Sequence, residues 1–131
     1  MTNCRSKTGY TTGSVRGVLQ LEGLAIAVAG CVAFAHTGAS WWLFAALILV
    51  PDLAMIGYAF GPRIGALCYN LGHTYVAPAV LAGGAWGTDG LDIWPLVWIW
   101  IVHIGADRTL GYGLKYAAGF TSTHLSHAKE S

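Results

Sequence analysis

Four long apolar stretches, almost free of charge, constrain this chain more than any other feature of its sequence. A membrane-spanning helix needs roughly 20 mostly apolar residues, and such windows cover residues 15–35, 41–60, 64–81 and 91–111. Short connections rich in Gly and Pro separate them, and helices joined in this way pack as antiparallel neighbours. The sequence therefore predicts an all-α polytopic membrane protein. It would be an antiparallel bundle of four transmembrane helices forming one domain, 1–131, with polar tails at 1–14 and 117–131.

The composition argues against the main alternatives. Hydrophobic residues make up 55% of the 131 residues and charged residues only 10%, whereas soluble domains average about 25% charged residues. A chain this short buries a modest fraction of its surface, so one small core could not hide so much apolar area. A net charge of +1 without a basic patch argues against nucleic acid as a partner. Three widely spaced cysteines without a C-x-x-C pair predict free thiols.

The distribution of Lys and Arg predicts the orientation in the membrane. All seven lie in the tails, at the tail-side edges of the first and fourth windows, or between the second and third windows. By the positive-inside rule both termini are cytoplasmic, which predicts a multi-pass protein of the bacterial cytoplasmic (inner) membrane. The basic N-terminus and Cys31 also resemble a lipoprotein signal peptide. Because Glu22 interrupts the apolar run, we favour an uncleaved first span.

Every predicted span carries side chains that are costly in lipid. Charged groups at the centre of a membrane helix cost roughly 2.5–3.5 kcal/mol each. Counting about 1.5 Å of rise per residue places five ionisable side chains at similar depth in the cytoplasmic half of the bundle. They are Glu22, Asp52, His73, His103 and Asp107. We expect them to meet in one polar pocket that is reached from the inner leaflet.

Helical spacing predicts which way some of these side chains face. His103 and Asp107 lie four residues apart and project from one helix face. Glu22 shares a face with alanines at positions 25, 29 and 33, and such a stripe of small residues favours close helix contact. This stripe predicts that Glu22 faces the bundle. Pro51 predicts a kink beside Asp52, because proline removes one backbone hydrogen bond.

Three mechanisms remain open for such a pocket. In the first, a membrane-embedded enzyme performs acid–base chemistry on a lipid- or isoprenoid-like substrate, with the five ionisable residues as catalytic groups. The residues expected to bind that substrate are Tyr69, Asn70, Arg108 and Tyr112. In the second, a divalent metal binds to His73, His103 and Asp107, since two His and a carboxylate suit zinc, iron or manganese. In the third, Glu22 couples proton movement to the transport of a small solute.

A structural membrane subunit is a further alternative to these mechanisms. No cofactor is predicted outright, and the divalent metal stays an open alternative. The expected partners are membrane lipids and a lipophilic small molecule, and the sequence leaves room for a homo-oligomer.

Several motifs resemble those of a known family. They are SWWLF at 40–44, PDL at 51–53, GPR at 61–63, YNLGHTY at 69–75 and HIGADRTLGYGLKY at 103–116. Over residues 19–125 the chain resembles a small bacterial four-span integral-membrane family catalogued as a domain of unknown function (DUF4260 type). The resemblance implies a four-span membrane protein without an established reaction. Its implied signature residues include Asp52, Asn70, His73, His103 and Asp107.

Overall fold

The computed structural model describes residues 13–88 and 92–114, and all regular structure in these ranges is helical. In chain order the elements are α1 (Gly13–His36), α2 (Trp41–Leu47), a 3-10 helix (Val50–Phe60), α3 (Pro62–Gly72), α4 (Val76–Trp86) and α5 (Trp94–Thr109). The all-α prediction is therefore confirmed for this part of the chain. The predicted tails, apart from residues 13 and 14, and the predicted start of the fourth span at 91 lie outside the described residues.

Two helical stretches are long and apolar enough to cross a membrane, namely α1 and the run Trp41–Phe60. Only 17% and 11% of their most apolar windows are buried, so the described chain leaves most of this apolar surface uncovered. Neither of the other two predicted spans is a single helix of that length. The third is broken in the middle, and α5 has 16 residues, fewer than the roughly 20 that cross a bilayer unaided.

The prediction of one continuous third helix over 64–81 is wrong, because the chain breaks at His73. This residue leaves the helical conformation, with φ −114° and ψ 15°, and helix resumes only at Val76. The backbone N–H and the ring Nδ1 of His73 each lie 2.9 Å from the carbonyl oxygen of Tyr69. The imidazole therefore bonds back to the last turn of α3 and stabilises the end of that helix.

The second predicted span changes geometry at Pro51. α2 ends at Leu47, and the 3-10 helix that follows has Pro51 in its first turn. The N–H of Asp52 bonds to the carbonyl oxygen of Leu49, three residues earlier, at 3.1 Å. Because Pro51 has no N–H to donate, the α pattern stops there. The predicted kink thus takes the form of a change from α to 3-10 geometry, and Asp52 lies in the first turn of the 3-10 helix.

Glycines bring α1 against α5. A Cβ at Gly105 would lie 2.8 Å from the carbonyl oxygen of Gly23, and a Cβ at Gly30 would lie 2.6 Å from Cγ2 of Val102. The two helices are therefore antiparallel and approach as closely as backbones allow. Gly23 and Gly30 are buried, whereas Glu22 is exposed. The prediction that α1 makes its close contact through the stripe of Glu22 and the alanines is wrong, because Gly23 and Gly30 permit a closer approach.

α5 is the central helix of the described chain. It contacts α1, α2 and α4, and it carries seven buried residues between Pro95 and Gly105, more than any other described element. The 3-10 helix packs separately on α3, where a Cβ at Gly57 would lie 2.8 Å from Cβ of Cys68. Cys31 and Cys68 are free thiols, as predicted, and Cys4 lies outside the described residues.

Replacing Gly105 with alanine should destabilise the protein by about 1–3 kcal/mol, the usual result of overpacking a close contact. The matched control is Gly84→Ala in α4, where a Cβ would meet nothing within 4 Å. Since alanine favours a helix over glycine by about 0.5–1 kcal/mol, the control should be neutral or stabilising. Thermal unfolding in detergent micelles measures both variants. Equal midpoints would contradict the close packing of α1 on α5.

Candidate metal centre

Four of the five predicted ionisable residues meet at one point. Asp52 comes from the 3-10 helix, His73 from the break between α3 and α4, and the last two from adjacent turns of α5. Their potential ligand atoms all lie within 4.8 Å of one another. The complete set is Asp52, His73, His103 and Asp107. Three separate helical segments therefore supply one cluster, which we call the His/Asp cluster.

The spacing of the ligand atoms suits one small cation. His73 Nε2 lies 3.0 Å from His103 Nε2 and 3.1 Å from Asp52 Oδ1. Asp107 Oδ2 lies 3.4 Å from His73 Nε2 and 3.6 Å from His103 Nε2. Ligands about 2.0–2.1 Å from a tetrahedral zinc ion stand about 3.3–3.4 Å apart. Five of the six distances among the four residues' ligand atoms, from 3.0 to 3.6 Å, are close to this spacing.

The surroundings of His73 direct one ring nitrogen into the cluster. A carbonyl oxygen only accepts hydrogen bonds, so the Nδ1–H of His73 donates to Tyr69 at 2.9 Å. In the neutral ring Nε2 then carries a lone pair, and this lone pair faces the other ligand atoms. Histidine ligands of metals are usually fixed by such a bond from the second ring nitrogen. The ring of Tyr69 also stacks on the imidazole, with centroids 3.7 Å apart and planes at 9°.

Side chains of α5 hold the helix break in place. The indole Nε1–H of Trp100 donates to the carbonyl oxygen of Gly72 at 2.6 Å, and Arg108 Nη2 donates to that of His73 at 3.2 Å. These two carbonyls would otherwise lack helical partners at the end of α3. Sequence reasoning missed the role of Trp100. In the sequence, Trp100 stands out only by its position one turn before His103. That position does not reveal that its indole bonds to a backbone carbonyl at the end of α3.

The two imidazoles of the cluster are buried, whereas its two carboxylates are partly exposed. His73 and His103 are 3% and 4% exposed, whereas Asp107 is 21% and Asp52 34% exposed. The phenol of Tyr69 donates to Asp107 Oδ2 at 3.4 Å, which orients that carboxylate. Asp52 is therefore the most exposed residue of the cluster.

Glu22, the fifth predicted catalytic residue, lies apart from the four clustered residues. It lines a separate cavity of about 200 Å³ together with Tyr75 and Arg108. Since Gly23 rather than Glu22 packs against α5, the side chain of Glu22 is on the exposed part of α1. The α1 helix therefore supports the cluster helix and adds no ligand atom to the cluster.

The predicted substrate-binding residues lie around the cluster, but they mostly position it. Tyr69 and Arg108 bond to cluster residues as described above. The carbonyl oxygen of Asn70 accepts from the N–H of His73 at 3.3 Å. The backbone N–H of Tyr112 donates to the carbonyl oxygen of Asp107 at 2.8 Å, while its side chain is exposed.

The comparisons with known proteins agree with the motifs of the sequence. The family model described as Domain of unknown function (DUF4260) matches residues 16–128, a range that includes all four cluster residues. Neither a curated protein nor a solved structure matches the chain. Because the family model covers most of the 131 residues, the resemblance predicted from the motifs is confirmed, and the chain belongs to the DUF4260 family.

Proposed function

We propose that this protein is a membrane-embedded hydrolase in which the His/Asp cluster binds a divalent metal of the zinc type and acts on a lipophilic substrate. The observation that carries the proposal is the convergence of two imidazole nitrogens and two carboxylate oxygens within 4.8 Å. Mixed imidazole and carboxylate ligands are typical of zinc, iron and manganese sites. Ionisable side chains at membrane depth usually mark function, because lipid makes them costly.

The proposed protein crosses the inner membrane four times, with both termini in the cytoplasm. The first two spans correspond to α1 and the run Trp41–Phe60. The third comprises α3 and α4 with the break at His73, and the fourth is α5. A broken helix is acceptable inside a membrane where other groups satisfy its free backbone atoms. The bonds from Trp100 and Arg108 to the break support this arrangement.

We assign the metal to His73, His103 and Asp107, and we assign the role of general base to Asp52. Two His and one carboxylate are the protein ligands of several zinc hydrolases, in which the fourth position stays open. Asp107 is oriented by Tyr69, as carboxylate ligands usually are. Asp52 is the most exposed of the four at 34%, and its Oδ1 is within 3.1 to 3.4 Å of both imidazoles.

These residues suit the hydrolysis of an ester linkage. A divalent cation held by His73, His103 and Asp107 would polarise the attacking water and the substrate oxygen. Asp52 takes the proton as the water oxygen attacks the carbonyl carbon or phosphorus. The bond to the leaving oxygen then breaks, and Asp52 returns the proton to that oxygen. The products are an alcohol and an acid, so that all atoms of the water are accounted for.

Proton-coupled transport is the weaker proposal. It requires a buried acid on α1 that alternates between a proton and a solute, and Glu22 was its candidate. Glu22 is exposed and lies apart from the His/Asp cluster. The four clustered residues are also more ionisable groups than such a mechanism needs, so the arrangement favours an enzyme.

The His103→Ala variant should lose zinc affinity by more than about 100-fold. Losing a residue that only orients a ligand costs about 10–100-fold, and losing the ligand itself should cost more. Calorimetric titration of chelator-treated protein in micelles measures the affinity. The matched control is His36→Ala at the end of α1, outside the cluster. Equal affinities of the two variants would contradict the assignment.

Two isosteric variants separate the two carboxylates. Asp107→Asn should lose both zinc and turnover, whereas Asp52→Asn should retain zinc within about 10-fold and lose turnover by about 100-fold or more, the typical contribution of a general base. Turnover is measured separately on long-chain carboxylic esters and on long-chain phosphoric esters. The class that is hydrolysed identifies the linkage. If Asp52→Asn lost zinc as completely as Asp107→Asn, Asp52 would be a fourth ligand and the role of base would be wrong.

The Tyr69→Phe variant removes one hydroxyl and keeps the ring that stacks on His73. It should weaken zinc binding by about 10–100-fold, because Asp107 loses the donor that orients it. The same titration measures the effect. Tyr112→Phe is the control, since the Tyr112 side chain is 54% exposed. An unchanged affinity in Tyr69→Phe would show that the phenol does not support the site.

A further inference from the structure

An apolar groove of about 340 Å³ lies between α2, the first turn of the 3-10 helix, α4 and α5. Its walls are aliphatic side chains, a proline and the face of one indole, and the proposed reaction uses none of them. In a bundle whose outer surface meets lipid, a recess of this kind encloses a hydrocarbon chain on several sides, whereas a flat surface contacts it on one side only.

Three residues that line the groove lie next to cluster residues, either along the chain or through a hydrogen bond. Pro51 lines the groove and directly precedes Asp52. Ile99 lines it one helical turn before His103. Trp100 lines it as well, and its indole bonds to the carbonyl oxygen of Gly72, next to His73. A molecule in the groove would therefore have one end beside the His/Asp cluster.

The groove extends from the cluster in one direction only. Leu47 lies five residues before Asp52, Leu96 lies seven residues before His103, and Leu81 lies eight residues after His73. At about 1.5 Å per residue these positions are roughly 8–12 Å from the ligands. Because α4 runs opposite to α2 and α5, all three lie on the same side of the ligand layer, toward the centre of the proposed bilayer.

We infer that this groove holds the hydrocarbon chain of the substrate, and that the hydrolysed linkage lies at the head of that chain. The inference rests on the proposed function and specifies its substrate class, namely an amphiphile with a long flexible chain joined directly to an ester-type group. A lipid of the inner leaflet has the same orientation, with its polar linkage toward the cytoplasm and its chain toward the bilayer centre.

The groove selects its occupant by shape. Moving a hydrocarbon chain from bilayer to groove gains little hydrophobic free energy, because lipid tails are as apolar as leucine. Discrimination must therefore come from how much chain the groove accommodates. A side chain that fills the far end of the groove should exclude long chains and leave short ones unaffected.

The test is the dependence of turnover on chain length in Leu81→Trp, which fills the far end of the groove. Its matched control is Val80→Trp, since Val80 is 70% exposed and does not line the groove. The substrates are butyl and dodecyl esters with the same head group. We expect Leu81→Trp to lose about 10-fold or more in turnover of the dodecyl ester relative to the butyl ester. Val80→Trp should keep the wild-type ratio.

Zinc titration separates the possible failures. If wild-type protein binds zinc and hydrolyses both esters, but Leu81→Trp keeps the wild-type ratio, the chain site is wrong and the proposed function stands. If wild-type protein neither binds zinc nor hydrolyses either ester, the proposed function fails and the chain site fails with it. Should Leu81→Trp lose zinc through misfolding, the smaller change Leu96→Phe in the same groove must give the altered ratio.

Discussion

The break in the third helical segment is the constraint on which the site depends. His73 ends α3 by bonding to the carbonyl oxygen of Tyr69 through both its backbone N–H and its ring. In a continuous helix the backbone would direct this ring by the helical repeat alone. Here the ring lies flat against Tyr69, and its second nitrogen points at the side chains of α5. The same bonds therefore end the helix and direct the ring of His73 into the His/Asp cluster.

The central helix completes this arrangement from the other side. α5 carries two cluster residues, and two further side chains, Trp100 and Arg108, bond to the carbonyls that the break leaves free. It can hold this position because Gly105 brings it against the backbone of α1. One helix therefore carries two cluster residues, bonds to the carbonyl oxygens at the break and joins the cluster to α1. The positions of His103 and Asp107 therefore depend on the packing of α5 on α1, because Gly105 lies midway between these two residues.

The sequence predicts the members of the cluster better than it predicts the helices that carry them. His103 and Asp107 follow from spacing alone, because α5 is unbroken between them and a four-residue interval keeps them on one face. Asp52 follows from depth and from the kink at Pro51. The break at His73 does not follow, because its causes are partners on α5 that only the folded chain brings near. The predicted contact face of α1 is wrong for a similar reason. Gly23 makes the contact because Gly105 lies opposite it on α5, and the sequence of α1 alone does not reveal that partner.

X-ray absorption spectroscopy of the zinc-loaded protein tests the central claim most directly, because it reports the ligands of the metal itself. We expect four or five ligands, with multiple scattering from two imidazoles and zinc–nitrogen distances of about 2.0–2.1 Å. His103→Ala should remove one imidazole from that spectrum. A shell of oxygen ligands without imidazole scattering would contradict the account, because the metal would then lie outside the His/Asp cluster.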